Sequence, residues 1–216
     1  SINQIKKSFG WVGLDEHWRY KMAEQKFPSE VIDLPSEGRL YPEGHPLKDG
    51  KIEIKYMTAK EEDILTSKTL LKKNLTIDRL LRSILVNKQI NPDDLLTGDK
   101  NALIISARIT GYGSEYATGI SCPACGTQNT YGIDLEKALE DAVHSGSESS
   151  DAQLTERGTY IVETPRTKAK VEIKLLNGHD EKRLLQQEAR RKKMKLPESL
   201  ATTTMAAFIV GVNGSS

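Results

Sequence analysis

The apolar residues from Leu75 to Leu85 constrain the fold most strongly, because they recur every three or four positions. A stripe with this period predicts an amphipathic helix that buries one face in a core. The sequence from Thr58 to Glu61 fits a capping box, in which a hydroxyl and a carboxylate bind free amides of a first helical turn. An earlier helix is therefore expected to begin there. Together these signals predict a helical block over residues 58–111.

Strand signals lie on both sides of this helical block. Residues 51–57 alternate apolar and polar side chains, which predicts a strand with Ile52, Ile54 and Tyr56 on one face. Further strands are predicted at residues 115–121, 127–133, 159–163 and 170–176. Helices and neighbouring antiparallel strands in one chain indicate an α+β fold with a small antiparallel sheet.

The chain divides by composition into four segments. Residues 1–30 are polar with scattered apolar anchors and predict an extended N-terminal arm, and residues 31–144 predict a core domain. Residues 145–152 have no large apolar side chain and predict a mobile loop. Residues 153–216 predict C-terminal strands and helices. Because the apolar stretch near the C-terminus would pack against something that follows it, the polypeptide is expected to continue further.

Charge and hydropathy bear on the classes of partner. The 31 Lys and Arg residues balance 30 Asp and Glu residues, so no bulk charge attracts nucleic acid or an acidic membrane. No apolar run approaches the length of about 18 residues that a membrane span needs. The basic segment at residues 189–195 has acidic neighbours and no aromatic side chain for base stacking. A solvated helix or a docking face for an acidic partner is the better interpretation.

The two cysteines, Cys122 and Cys125, lie in a C-P-A-C-G sequence between two predicted strands. Two thiolates at this spacing can supply half of a tetrahedral zinc site, and the rest would come from a histidine or a neighbouring chain. A redox motif fits less well, because it should open a helix after a strand. The remaining alternative is a metal-free turn set by Pro123 and Gly126, with buried thiols. The predicted cofactor is accordingly none, or zinc at a shared site.

Catalytic signals are weak throughout the sequence. The carboxylate pairs Glu61-Glu62 and Asp93-Asp94 lie at predicted helix starts, where the helix dipole alone explains acidic residues. The glycines at 111 and 113 lack the third glycine and the Lys-Ser/Thr pair of phosphate-binding loops. No hydrolase motif occurs, and the histidines lie singly at positions 17, 45, 144 and 179. We therefore predict no catalytic residues and no enzyme.

Four segments in order resemble the baseplate hub protein family of T-even-like contractile phage tails. They are residues 34–42 (LPSEGRLYP), 52–67 (IEIKYMTAKEEDILTS), 94–101 (DLLTGDKN) and 122–126 (CPACG). Residues 200–214 are similar to a later part of the same family. The resemblance implies a structural or assembly component of the baseplate hub in the virion, assembled in the host cytoplasm, and no enzymatic activity.

The same resemblance implies partners among other baseplate and tail-tip proteins, within a symmetric assembly and through protein surfaces. One alternative is a transient tail-assembly chaperone that is absent from the mature particle. A second alternative is a zinc-dependent hydrolase, which would need two further metal ligands beside Cys122 and Cys125.

Overall fold

The computed structural model describes residues 27–73, 75–144, 152–197 and 199–215. Residues 1–26 of the predicted arm and residues 145–151 of the predicted loop lie outside the described residues. The helices are α1 (Ala59–Thr66), α2 (Lys68–Lys72), α3 (Thr76–Ile84), α4 (Thr97–Tyr112), α5 (Leu135–His144), α6 (Gly178–Lys193) and α7 (Leu200–Phe208). The strands are β1 (Ser29–Asp33), β2 (Lys51–Lys55), β3 (Glu115–Ser121), β4 (Gln128–Asp134), β5 (Gln153–Leu154), β6 (Tyr160–Glu163), β7 (Lys170–Ile173) and β8 (Ile209–Val212).

The strands form three antiparallel sheets. β1 pairs with β2, β3 pairs with β4, and the remaining strands form a four-stranded sheet in the order β5-β6-β7-β8. The α+β class and the hairpin that carries the cysteines are thus confirmed. The strand predicted over residues 51–57 ends at Lys55, and Tyr56 is exposed rather than packed with Ile52 and Ile54. The chain must leave the strand there, because Thr58 already caps α1.

The core lies between the first sheet and the helical block. Ile32, Ile52 and Ile54 occupy one face of β1 and β2 and are at most 7% exposed. They share a single buried cluster with apolar side chains of α3 and α4 and with Leu85, which follows α3; the helical members include Leu80, Leu81, Ile84, Leu103 and Ala107. The helix predicted from the apolar stripe is confirmed as α3, although Leu75 precedes the helix and is 38% exposed.

A buried carboxylate fixes the start of α4 against the segment that joins β1 and β2. Asp99 accepts hydrogen bonds from the Ser36 amide at 3.0 Å, the Ser36 hydroxyl at 2.7 Å and the Tyr41 hydroxyl at 2.7 Å. Burial raises the pKa of Tyr41, and the nearby Asp99 charge raises it further, so the phenol stays protonated and donates. This network holds the loop after β1 on the core.

The C-terminal part docks on the helical block through backbone hydrogen bonds at the start of α6. Gly178 N donates to Leu95 O at 3.2 Å, and Thr97 N donates to Leu176 O at 2.9 Å. A side chain at position 178 would collide with the backbone of Asp93, since a Cβ built there lies 2.8 Å from the Asp93 Cα. Only glycine permits this close approach.

Ion pairs reinforce the same junction. Lys182 Nζ of α6 lies 2.6 Å from an Asp93 carboxylate oxygen and 2.7 Å from one of Asp78. Lys100 Nζ of α4 lies 2.8 Å from a carboxylate oxygen of Glu181. Partial burial alone would raise the pKa of Asp93, but its contacts with Lys182 lower it overall. The Asp93-Asp94 pair therefore contains a structural carboxylate that anchors α6.

Candidate protein interaction surface

A strand-to-helix sequence occurs twice in this chain. Strand β2 reads KIEIK, and residues 170–174 read KVEIK. After each one, two residues intervene before a helix N-cap: Thr58 before α1 and Asn177 before α6. In each helix the third residue is a carboxylate that completes a capping box, Glu61 in α1 and Asp180 in α6.

The last lysine of each copy binds the capping carboxylate. Lys55 Nζ lies 2.9 Å from Glu61 Oε1, and Lys174 Nζ lies 2.9 Å from Asp180 Oδ1. Both carboxylates are buried, at 0% and 5% exposure. Burial would raise the pKa of Glu61, but hydrogen bonds from Ser83, Thr58 and Lys55 lower it to about 2. Its negative charge at the positive end of the α1 dipole thus persists at neutral pH.

The similarity extends to the way each chain segment returns to its strand. Helices α3 and α7 are both nine residues long. The residue that follows each helix forms a β-pair with a residue of the repeated strand. Leu85 bridges Ile54 after α3, and Ile209 pairs with Ile173 after α7. We call residues 29–86 the first unit and residues 160–212 the second unit. Each unit has an antiparallel strand pair, a lysine that binds the capping carboxylate, and a nine-residue helix after which the chain pairs with the repeated strand. We call these helices, α3 and α7, the returning helices.

The four-stranded sheet has one apolar face, which follows from its register. Directly paired residues of antiparallel strands project to the same side, and alternate residues of one strand share a face. The pairs Leu154 with Tyr160, Tyr160 with Ile173, and Val162 with Val171 therefore lie on one side. We call this side the apolar sheet face; it comprises Leu154, Tyr160, Val162, Val171, Ile173, Ile209 and Val212.

The apolar sheet face is not buried. Leu154 is 50% exposed, Val212 42% and Ile209 38%, and the other four side chains are partly exposed. The opposite side of the sheet carries polar residues such as Glu163 and Glu172. Among the described residues beyond position 107, no large apolar side chain is buried. The second unit thus presents to its surroundings the kind of face that the first unit buries.

The cysteines lie at the tip of the β3–β4 hairpin. Gly126 N donates to Cys122 O at 2.8 Å, and Gly126 takes a left-handed φ of 74°, which a glycine adopts without strain. Cys125 is exposed and Cys122 partly exposed, so the expectation of buried thiols is wrong. Hydrogen bonding with Thr127, and then with Cys122, lowers the pKa of the Cys125 thiol.

The described ranges bring no further ligand to this cysteine pair. In them, no group of three or more His, Cys, Asp or Glu side chains could hold a metal ion. His45 stacks on Tyr41, and His179 Nε2 lies 2.8 Å from an Asp94 carboxylate oxygen. His17 lies outside the described residues. Zinc at Cys122 and Cys125 remains a prediction that depends on ligands from elsewhere, and a hydrolase built on zinc depends on the same ligands.

The basic segment at residues 189–195 comprises the last residues of α6 and the two residues that follow it. It is mostly exposed, and Arg191 Nη2 donates to Pro197 O at 3.0 Å.

None of the described helices is both long and apolar enough to cross a membrane.

Comparison with known proteins identifies one family. The model of the family described as T4 bacteriophage base plate protein matches residues 30–155. No curated protein and no solved structure matches the chain. The matched residues include all but the first residue of the first unit, together with the cysteine hairpin, and make up more than half of the sequence. The chain therefore belongs to the T4 bacteriophage base plate protein family.

Proposed function

We propose that this phage baseplate protein is a structural component of the baseplate hub and that it binds neighbouring tail-tip proteins through the apolar sheet face. The observation that supports this proposal is the amphipathic four-stranded sheet, whose apolar side has seven side chains and none of them buried. Extended apolar patches on soluble proteins mark sites of protein interaction. The partner is therefore expected to complete a core that the second unit begins.

The energetic argument rests on the size of these side chains. Burying a Val, Leu or Ile side chain fully is worth about 1.5–3 kcal/mol relative to leaving it exposed. Leu154, Ile209 and Val212 alone retain more than a third of their surface. A partner that covers them would gain several such increments. This gain makes the face suitable for a permanent contact in a particle.

The hub position is supported by the resemblance of four ordered segments, among them residues 34–42 and 94–101. A hub surrounds the tail axis, so copies of this chain would be arranged symmetrically and would contact other baseplate proteins. Assembly in the host cytoplasm before completion of the tail follows from the same proposal.

A transient tail-assembly chaperone is the alternative, because a chaperone could use the same face to hold an unassembled partner. A mass-spectrometric inventory of purified phage particles separates the two functions. A hub component is expected at a fixed ratio to other baseplate proteins in every preparation. A chaperone would be present in infected cells and in assembly intermediates but absent from finished particles, and that result would contradict the proposal.

A further inference from the structure

A cleft with an excess of positive charge opens between the start of β1, strand β2, the start of α1 and the end of α3. Its volume of about 810 Å³ falls in the range of about 300–1,000 Å³ that is usual for binding sites. The exposed apolar side chains of Phe27 and Val86 form part of its wall. Its charged residues are the cations Lys55, Lys60, Arg82 and Lys88 and the carboxylate Glu53. We call this feature the basic cleft.

The buried carboxylate of Glu61 offsets the charge of one cation only. Its Oε1 accepts hydrogen bonds from Lys55 and Ser83, which both line the basic cleft. Its Oε2 accepts from the amide and the hydroxyl of Thr58. These bonds occupy the acceptor positions of the carboxylate, so Glu61 balances Lys55 and has none left for another cation.

The other three cations are bound to neutral groups or form no ion pair. Lys88 Nζ donates to three carbonyl oxygens at the end of α3, at 2.5–3.3 Å. Arg82 Nη2 donates to Asn91 Oδ1 at 3.0 Å and lies 3.7 Å from an oxygen of Asp93, a carboxylate that already binds Lys182. Lys60 is exposed and has no ion pair with any residue that the structure describes.

The lysines of the basic cleft are close enough to repel one another. Burial lowers the pKa of Lys88, and the nearby charges of Lys55 and Lys60 lower it further, although Glu61 raises it in part. A negative group in the cleft would relieve this repulsion. The cleft therefore selects an anionic ligand.

We propose that the basic cleft binds an acidic segment of a partner protein, with carboxylates beside Lys60 and Arg82 and an apolar side chain against Phe27 and Val86. Charged and apolar groups adjoin in the cleft, since Lys55 Nζ lies 5.3 Å from the centre of the Phe27 ring. A bound segment is therefore expected to combine Asp or Glu with an apolar residue. This inference goes beyond the proposed function, because it adds a second surface that recognises its partner by charge.

Other occupants fit the charge of the basic cleft less well. Residues 1–26 of this chain contain five Lys and Arg but only three Asp and Glu, so they would add positive charge. A two-fold contact between copies of this chain would bring two basic clefts together, and like charges repel. Nucleic acid would bring phosphates close to Glu53, while the three N–H donors of Lys88 are already used. An acidic protein segment meets none of these obstacles.

Site-specific photo-crosslinking in infected cells tests this inference. Benzoylphenylalanine replaces Phe27 or Val86, which are 46% and 43% exposed in the wall of the basic cleft. The matched control places the same probe at Leu71 of α2, which is 52% exposed and does not line the cleft. Each cleft probe is combined with Lys60→Glu or Lys60→Gln, or with the control Lys68→Glu at an exposed lysine of α2. Mass spectrometry identifies the crosslinked peptides, and thermal melting of each purified variant checks the fold.

We expect both cleft probes to crosslink to one segment of another phage protein in which Asp and Glu outnumber Lys and Arg. The control probe should not reach that segment. Lys60→Glu should lower the crosslinking yield by about tenfold, Lys60→Gln should lower it less, and Lys68→Glu should leave it unchanged. Lys60→Glu should melt no lower than the parent, because it relieves the repulsion among the lysines, so its lower yield would not come from unfolding.

Several results would overturn the proposal. They are crosslinks to residues 1–26, to a second copy of this chain, to nucleic acid or to a segment without an acidic excess. The absence of any crosslink, or an unchanged yield in both Lys60 variants, would overturn it equally. Because the crosslinking is done in infected cells, absence of the chain from finished particles would contradict the proposed hub function without bearing on the basic cleft.

Discussion

The first and second units each contain nearly the same strand, yet their apolar side chains lie in different environments. In KIEIK, Ile52 is 3% exposed and Ile54 is fully buried, whereas Val171 and Ile173 of KVEIK remain partly exposed. The strands, their capping lysines and the helices that begin directly after them, α1 and α6, do not account for this contrast. It arises from the elements that cover each sheet. An alternating sequence therefore determines that a face is apolar but does not determine what covers it.

The returning helices show part of the cause. Helix α3 contributes Leu80, Leu81 and Ile84 to the core, whereas no residue of α7 is buried. At the positions that correspond to Leu81 and Ile84, α7 has Met205 and Phe208, and Met205 is 56% exposed. The second unit is thus expected to be less tightly packed than the first unit in the isolated chain. The following predictions compare the two units, beginning with the largest expected effect.

Side-chain truncation at corresponding positions of the two returning helices should lower the free energy of unfolding by unequal amounts. Leu81→Ala should lower the free energy of unfolding by about 2–5 kcal/mol, because a fully buried leucine leaves a cavity. Met205→Ala should change it by less than about 0.5 kcal/mol, since an exposed side chain has little packing to lose. Urea denaturation of both purified variants measures the difference. Equal losses of stability would show that the side chains of the two helices are equally well packed, which would contradict the contrast between the units.

Neutralising the buried carboxylate of the first unit should weaken the fold and change its response to acid. Glu61→Gln should cost about 2–3 kcal/mol at neutral pH, because the bonds from Lys55 and Ser83 lose a charged acceptor. The folded pKa of about 2 lies below the ordinary value, so the ionised carboxylate stabilises the fold at neutral pH.

That stabilising contribution should decline as the pH falls from about 5 towards 2. The parent should therefore lose stability over this range more steeply than Glu61→Gln does. Glu30→Gln, at an exposed position in β1, serves as the control and should follow the parent. The free energy of unfolding of the parent and of Glu61→Gln is measured by denaturation at several pH values. If the two decline in parallel as the pH falls, the ionised Glu61 carboxylate does not stabilise the fold as described.

Docking of the second unit on the segment that precedes α4 should depend on Gly178. Gly178→Ala should cost about 1–3 kcal/mol, because the new methyl group meets the Asp93 backbone and forces a shift. Gly98→Ala is the matched control near the start of α4, where no atom lies within 4 Å of an added Cβ. Hydrogen exchange should show faster exchange in α6 of the first variant only. Unchanged exchange would mean that the junction tolerates the methyl group.

The cysteine hairpin lies between the two units, and its perturbation should have the smallest effect on stability. If no metal is bound, the double change Cys122→Ser with Cys125→Ser should alter stability by less than about 0.5 kcal/mol, because the thiols are not buried. Elemental analysis of the parent and the variant accompanies the melting curves. Stoichiometric zinc in the parent that disappears in the variant would establish the shared metal site instead.

Local signals predicted the elements of the first unit well. The period of the stripe gave α3, and the capping box from Thr58 to Glu61 gave the start of α1. Both depend on side chains that are close in sequence and therefore reflect local physics. The hairpin that carries Cys122 and Cys125 was predicted for the same reason, whereas the exposure of its thiols depends on packing that the sequence does not show.

The rest of the candidate surface depends on long-range pairing. Ile209 and Val212 belong to the apolar sheet face only because β7 pairs with β8 across almost forty residues, and no local pattern fixes that register. Lys182 likewise meets Asp78 and Asp93 from distant parts of the chain. One signal was present but missed: a comparison of the sequence with itself shows KIEIK and KVEIK, each followed by an N-cap residue and a carboxylate.

The incorporation of two matched variants into phage particles tests the central claim most directly. Val212→Lys places a charge on the apolar sheet face, and Val31→Lys places the same charge at a valine that is 60% exposed in the first unit. Both purified variants should melt like the parent. We expect Val212→Lys to be lost from particles and Val31→Lys to be incorporated at the parental level. Parental incorporation of Val212→Lys would contradict the claim that the apolar sheet face binds a baseplate partner.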